Sequence, residues 1–174
     1  MDFLVWLENS GLGAWVNQSS SIFLGYPGVL LVHTLGMTLL VGTNVIVGLR
    51  LLGFAPQVSV AETRRLFPIM WTGLVLSAIS GVLLLIAKAT TMMVNPAFFI
   101  KMLAIVLAVS IFFPMRNKVF RDPLLDKRPI QTNGKVLAAM SLTLWLTAIT
   151  AGRMMAYVGE AAHFGATLIL KFHL

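Results

Sequence analysis

The stretch that decides the fold runs from Pro27 to Gly53 and reads PGVLLVHTLGMTLLVGTNVIVGLRLLG. A helix needs about 20 mostly apolar residues to cross the hydrocarbon core of a bilayer. This stretch has that length, and its only ionisable residue before Arg50 is His33. The sequence therefore predicts a membrane-spanning helix with one histidine inside it. Because an ionisable side chain is rare in such a position, His33 is a candidate functional residue.

The composition of the whole chain agrees with a membrane location. Its 174 residues are 58% hydrophobic and only 11% charged, whereas a soluble domain carries about 25% charged residues. The net charge of +7 does not point to nucleic acid, because the basic residues lie in loops between apolar stretches. The absence of cysteine excludes disulfides, thiolate metal sites and CxxC haem attachment. We expect the lipid bilayer to be the main partner.

The pattern of apolar stretches predicts an all-α integral membrane four-helix bundle that forms a single domain over residues 1–174. Proline and glycine mark the ends of the stretches, as at Asn95-Pro96 and Asn133-Gly134. Trp6 and Trp15 indicate an interfacial helix on the membrane surface within residues 1–21. The remaining boundaries are spans at about 27–53, 66–87, 96–115 and 136–158, and an outer tail at 159–174.

The basic residues also predict the orientation of the chain. Nine of the thirteen Lys and Arg residues lie in the regions that join span one to span two and span three to span four. Basic loops remain on the cytoplasmic side of a membrane, so both termini are expected outside. In a bacterial inner membrane this multi-pass chain would have both termini in the periplasm.

Depth within the spans brings a few polar residues to one predicted level. At 1.5 Å per residue, His33 lies about 9 Å inside span one, and Lys101 and Arg153 each lie about 7.5 Å from the outer ends of spans three and four. At 100° per residue, Met37 and Asn44 fall within about 40° of His33 on one side of span one. The predicted cofactor-binding residues are therefore His33, Met37, Asn44, Lys101 and Arg153, with His33 as the metal ligand.

Each of these residues also has a simpler possible role. Lys and Arg near helix ends can extend to the membrane surface along their own apolar stems. A single histidine on an apolar helix is commonly a hydrogen-bonded packing residue. Methionine thioethers bind Cu(I), which makes copper an alternative ligand for His33 and the methionines, but Met also fills apolar bundles.

Three stretches of the sequence carry a resemblance to a known family. HTLGMTLLVGTNVIVGLRLLG, then SGVLLLI in the second span and NPAFFIKML at the start of the third, resemble the bacterial CopD-like membrane superfamily. The same stretches are more distantly similar to HemJ-type protoporphyrinogen oxidases. This resemblance implies a four-span fold and a role in haem binding or activity for His33 and Lys101.

The combined expectation is a redox or electron-transfer module that binds haem b or a quinone near the outer leaflet. Lys101 and Arg153 would pair with propionates or a quinone carbonyl, since cations stabilise carboxylates in a dry site. One alternative is a non-catalytic accessory subunit that packs against a larger membrane complex or another copy of the chain. The other alternative is a copper-handling membrane protein. The sequence defines no catalytic residue and does not decide whether the chain is an enzyme.

Overall fold

The computed structural model is an all-α protein with four long apolar helices packed as a bundle. It describes residues 2–19, 21, 23, 25–54, 56–118, 120 and 131–172, with the backbone alone at 61, 118, 156 and 158–172. A 3-10 turn at Arg64–Leu66 precedes the second long helix. The α-helices are α1 Asp2–Glu8, α2 Gly11–Gln18, α3 Tyr26–Leu52, α4 Val60–Thr63, α5 Phe67–Ala87, α6 Ala89–Met92, α7 Pro96–Lys118 and α8 Thr132–Phe172.

The ends of the long helices follow from local sequence chemistry. Pro27 and Pro68 lie in the first turns of α3 and α5. Proline has no backbone N–H, but the N–H groups of a first turn have no acceptor within the helix, so no hydrogen bond is lost. Helix α3 ends at Leu52 and is followed by Gly53, whose φ of 105° is the left-handed conformation that glycine adopts without strain. The N–H groups of Gly53 and Phe54 then donate to the carbonyls of Arg50 and Leu49 and close the helix end.

Helix α8 is longer than the span expected at 136–158. It begins at Thr132 and continues for 41 residues to Phe172, which is about 62 Å at 1.5 Å per residue. The part with the length and apolar character of a span is Thr132–Met155. The segment expected as an outer tail is therefore helical as far as residue 172, because no proline interrupts the helix there. Its position relative to the bilayer stays a prediction.

Four helices are long and apolar enough to cross a membrane, and their outward surfaces are apolar as well. Large side chains such as Leu31, Ile79, Val106 and Leu146 are more than half exposed on the outside of the bundle. A soluble protein does not expose apolar side chains along every helix. We conclude that the chain is a multi-pass membrane protein whose outward faces contact lipid.

Threonine hydroxyls on this lipid-facing surface have partners within their own helices. Thr34, Thr38 and Thr72 each donate to the carbonyl four residues earlier, at 2.9 to 3.0 Å. Thr143 and Thr147 on α8 do the same at 3.0 and 2.9 Å. Such bonds keep a polar group satisfied where lipid offers neither donor nor acceptor.

Helix α3 holds the bundle together, because it packs along both α5 and α8, and α7 packs along α8. The central cluster of buried side chains includes Leu40 of α3, Met70 of α5, Phe112 of α7 and Trp145 of α8. Phe112 makes edge-to-face contacts with Phe67 and with Trp71. These rings fill the space between α5 and α7.

The first two helices are fastened to one end of the bundle, which we call the upper end because α3 begins and α5 ends there. Val16 of α2 is 1% exposed and packs against Leu84 and Ala87. The side-chain amide of Asn17 donates to the carbonyl of Ala87 at 2.9 Å. The Glu8 carboxylate accepts bonds from the backbone N–H and the hydroxyl of Thr90, at 3.2 and 2.6 Å. Their location at the membrane surface stays a prediction.

Glycines of α3 and α5 let these two spans approach each other closely. A Cβ added at Gly36 would lie 2.7 Å from the Ser77 backbone nitrogen, and one added at Gly73 would lie 2.6 Å from the Leu40 nitrogen. Neither position has room for a side chain. Small residues at such points let helix backbones pack directly in lipid, where no hydrophobic force brings apolar helices together.

This crossing gives a prediction about two glycines of one helix. We expect Gly36→Ala to destabilise the folded bundle by about 1–3 kcal/mol, because the new methyl group overpacks the contact with α5. The matched control is Gly42→Ala, since a Cβ there meets nothing within 4 Å. Thermal unfolding in detergent measures both variants. Equal unfolding midpoints for Gly36→Ala and the wild type would show that α3 and α5 are not in backbone contact.

Candidate functional site

His33 lies on the side of α3 that faces α5, near the upper end of the bundle, and its side chain is half-buried. Its Nδ1 atom is 3.0 Å from the backbone carbonyl oxygen of Ser77 and 3.2 Å from the Ser80 hydroxyl oxygen. A carbonyl oxygen only accepts hydrogen bonds, so Nδ1 carries the proton and donates it. The neutral imidazole is thereby fixed as one tautomer.

The two serines hold this arrangement from the α5 side. The Ser80 hydroxyl donates to the Leu76 carbonyl at 2.6 Å, which leaves its oxygen lone pairs free to accept from Nδ1. The Ser77 hydroxyl donates back to the carbonyl of His33 at 3.3 Å. Each helix therefore donates one hydrogen bond to a carbonyl of the other, and the imidazole ring has a fixed orientation.

The second ring nitrogen of His33 has no such partner. With the proton on Nδ1, the Nε2 atom carries a lone pair that can bind a metal ion or accept a hydrogen bond. In the part of the chain that the structure describes, no donor contacts Nε2. A histidine that binds a metal characteristically donates its second N–H to a backbone carbonyl, as His33 does.

Gly81 provides the surface against which the imidazole ring packs. A Cβ at position 81 would lie 3.1 Å from the His33 Cε1 atom and 3.4 Å from Nδ1. Carbon atoms in van der Waals contact are about 3.5–4.0 Å apart, so the distance to Cε1 is too short. A side chain at position 81 would therefore push the ring away from the serine carbonyl that orients it.

Lys101 of α7 is the second ionisable residue of this region. Its side chain is half-buried and lies over Gly152 of α8, with Nζ 3.6 Å from where a Cβ of that glycine would be. Among the described residues Lys101 forms neither a hydrogen bond nor an ion pair. It thus presents three donors without a protein acceptor in an apolar region.

Of the five predicted residues, His33 and Lys101 are both half-buried near the upper end, His33 against α5 and Lys101 against Gly152 of α8. Arg153 follows Gly152 and so lies at the level of Lys101, but its side chain is exposed on the outside of α8. Adjacent residues of a helix point about 100° apart, so only one of the two can face inward. Small Gly152 is the one that faces Lys101.

Met37 and Asn44 lie about one and three turns further along α3 than His33, and their printed contacts are with other residues. Met37 is half-buried against the central apolar cluster. Asn44 is 9% exposed and donates its side-chain N–H to the Leu40 carbonyl of its own helix at 2.8 Å. The described residues contain no group of three or more His, Cys, Asp or Glu that could hold a metal ion. Of the five predicted residues, His33 is thus the one whose nitrogen has a lone pair available to a metal ion, as far as the described residues show.

The residues that sequence reasoning missed are Ser77, Ser80 and Gly81 of α5. The available signal was the spacing of Gly73, Ser77 and Gly81, which places a small residue at every fourth position on one face. Such a face is typical of close helix contacts in membranes. The sequence shows the face but not its partner, because several helices could pack on it.

Comparison of the chain with protein-family models, with curated proteins and with solved structures gives no match. Its function is therefore inferred from the residues of the site and from the resemblance noted in its sequence.

The unpaired charge of Lys101 leads to a prediction about stability. Replacing it with an apolar residue of similar length, Lys101→Met, removes the cost of holding a charge in an apolar region. We expect the ligand-free protein to become more stable by about 1 kcal/mol or more, which is a rise of a few degrees in thermal midpoint.

The matched control for this prediction is Lys88→Met. Lys88 is exposed at the end of α5, with its Nζ 6.0 Å from the centre of the Tyr26 ring. That substitution should leave the midpoint unchanged or slightly lower, because it removes a weak cation–π contact. A lower midpoint for Lys101→Met would show that the lysine has a stabilising partner in the folded protein.

Proposed function

We propose that this chain is a membrane-embedded redox or electron-transfer module that binds haem b or a quinone beside His33 and Lys101. One observation carries the proposal. The Nδ1–H of His33 is donated to the Ser77 carbonyl at 3.0 Å, and Nε2 has no hydrogen-bond donor among the described residues. An imidazole held in this way is oriented to give one lone pair to a ligand.

The residues present could supply a haem group with one axial ligand and one cation. His33 would supply the axial nitrogen, and Ser77 and Ser80 would hold the ring so that it stays aligned with the iron. Lys101 would pair with a propionate, which is the anionic part of haem and needs a cation in a dry site. A bound haem supplies one-electron chemistry, and its axial ligand helps to set the redox potential.

The same two side chains also fit a quinone head group. The Nε2 lone pair of His33 accepts a hydrogen bond from a quinol hydroxyl, and the Lys101 ammonium donates one to a quinone carbonyl. Both ligands are lipophilic and reach a site in the membrane from the bilayer. Haem is the ligand that the resemblance to CopD-like and HemJ-type proteins favours, because it implies a role in haem binding or activity for these two positions.

The location proposed for this module is a bacterial inner membrane, with both termini in the periplasm. The support is the distribution of basic residues, of which Arg50, Arg64, Arg65, Arg116 and Lys135 lie near the end of the bundle opposite His33, where α3 and α7 end and α8 begins. The positive-inside rule assigns that end to the cytoplasm. The proposed site then lies close to the outer leaflet.

An optical spectrum of the full chain, purified in mild detergent from haem-replete cells, tests the proposal. We expect a Soret band that His33→Ala abolishes, because the axial nitrogen is lost. Met37→Leu is the matched control, since Met37 lies one turn away on the same helix and its substitution should leave the band unchanged.

If the bound group is a quinone, the purified protein is colourless, and organic extraction releases a quinone from the wild type and the Met37→Leu variant. The His33→Ala and Lys101→Met variants should each retain at least tenfold less. A wild-type preparation with neither a haem band nor an extractable quinone would refute the redox proposal.

A further inference from the structure

The side of the bundle between α5 and α7 is closed by side chains rather than by packed helix backbones. Helix α3 packs along α5 and α8, and α7 packs along α8, but α5 and α7 do not pack along each other. They meet through aromatic rings, because the centroid of Phe112 lies 5.0 Å from that of Phe67 and 5.8 Å from that of Trp71. We call this side the α5–α7 seam, with walls formed by Phe67, Trp71 and Leu74 on α5 and by Val109 and Phe112 on α7.

The seam is apolar and continuous with the lipid-facing surface of the bundle. The accessible surface of the small cavity between its walls is wholly apolar. Trp71 on its wall is 37% exposed, and Ile69 and Phe113 are 43% and 50% exposed on the outside of the same two helices. Lipid acyl chains are what such a surface meets in a bilayer. An acyl chain therefore lies along the seam when the protein is in a membrane.

Three arginines lie at the lower end of the seam, where α5 begins and α7 ends. Arg64 precedes Phe67 by three residues, which is one turn of a 3-10 helix, and Arg65 follows it. Arg116 comes four residues after Phe112, so the two lie about 40° apart around α7 and about 6 Å apart along its axis. All three arginine side chains are exposed. The turns next to the two aromatic walls therefore carry positive charge.

These cations have no protein partner in the part of the chain that the structure describes. Arg64, Arg65 and Arg116 form neither hydrogen bonds nor ion pairs with a described residue. Arg50, by contrast, donates to two carbonyls of the loop that follows α3. Glu62 is the one acidic side chain described at this end, and it is exposed. The lower end of the seam therefore has guanidinium donors to offer to an anion.

We propose that the lower end of the α5–α7 seam is a binding site for an anionic phospholipid. The lipid phosphate accepts hydrogen bonds from the guanidinium groups of Arg64, Arg65 and Arg116, whose fork of N–H groups matches phosphate geometry. An acyl chain of the same lipid lies along the apolar wall at Trp71 and Phe112. The charge favours an anionic lipid over phosphatidylcholine, because the choline cation of the latter is repelled by the arginines.

The lipid has a structural consequence that follows from the packing of the bundle. It bridges α5 and α7, the two neighbouring spans that do not pack along each other. The site is at the opposite end of the bundle from His33, which lies near the start of α3. The proposal therefore does not depend on the redox function, and either can fail without the other.

Quenching of Trp71 fluorescence by brominated lipid tests the site. The full chain is reconstituted into phosphatidylcholine vesicles that contain a fixed minor fraction of phosphatidylglycerol. Bromine atoms in the middle of the acyl chains quench tryptophan on contact, and they are carried by the phosphatidylglycerol or, in a matched preparation, by the same molar amount of phosphatidylcholine. Trp71 suits mid-chain bromine, because it lies about 10 Å along α5 from Arg64. The Trp71 signal is the difference between the wild type and Trp71→Phe.

We expect phosphatidylglycerol to be enriched over phosphatidylcholine at Trp71 by a factor of about five or more, which is what one basic residue contributes near an anionic membrane surface. Equal quenching of Trp71 by the two brominated lipids would overturn the proposal.

A pair of double variants shows whether the arginines of the seam cause the enrichment. Arg64→Gln with Arg116→Gln should lower it by a factor of about two or more. The matched control is Lys88→Gln with Lys135→Gln, which removes two exposed charges at the end of α5 and the start of α8. The control should keep the wild-type enrichment. An equal loss in both double variants, or no loss in the arginine variant, would overturn the assignment of the lipid to the seam.

Discussion

The close crossing of α3 and α5 is the constraint on which the rest of the bundle depends. In lipid, apolar helices gain nothing from hiding apolar surface from each other, so association requires direct packing and interhelical hydrogen bonds. Gly36 and Gly73 supply the packing, since a Cβ at either would collide with the backbone of the other helix. This contact brings the Ser77 carbonyl within reach of His33. The glycines thus determine where the imidazole can be held.

Almost every polar side chain in the described spans has a partner that lipid could not provide. Threonines on the outward surface bond to their own helices, and His33 bonds to α5. Among the described residues, the Lys101 ammonium and the Trp145 indole N–H have no such partner. Lipid forms no hydrogen bond with such a group, so a ligand that pairs with it removes a large free-energy cost.

The site proposed beside His33 and Lys101, which we call the upper site, has an oriented lone pair and a cation. These two groups suit a ligand that contains a metal or an acidic or carbonyl oxygen. The short helices α1 and α2 lie over the upper end, tied through Asn17 and Glu8. They therefore lie on the side of the bundle that is nearer to the upper site.

The sequence by itself determined the four spans, the helix ends at prolines and glycines, and the approximate depth of each ionisable residue. Depth follows from counting, because a helix rises a fixed 1.5 Å per residue. The sequence also indicated His33 and Lys101 as candidate site residues, because ionisable residues are rare in apolar stretches. Only the tertiary structure decided which way each side chain faces. In the tertiary structure His33 faces Ser77, and Gly152 rather than Arg153 lies beside Lys101. The Trp145 indole N–H is buried without a partner among the described residues. The physical reason is that a helix apolar on all sides carries no hydrophobic pattern to fix its rotation, so its neighbours fix it by packing.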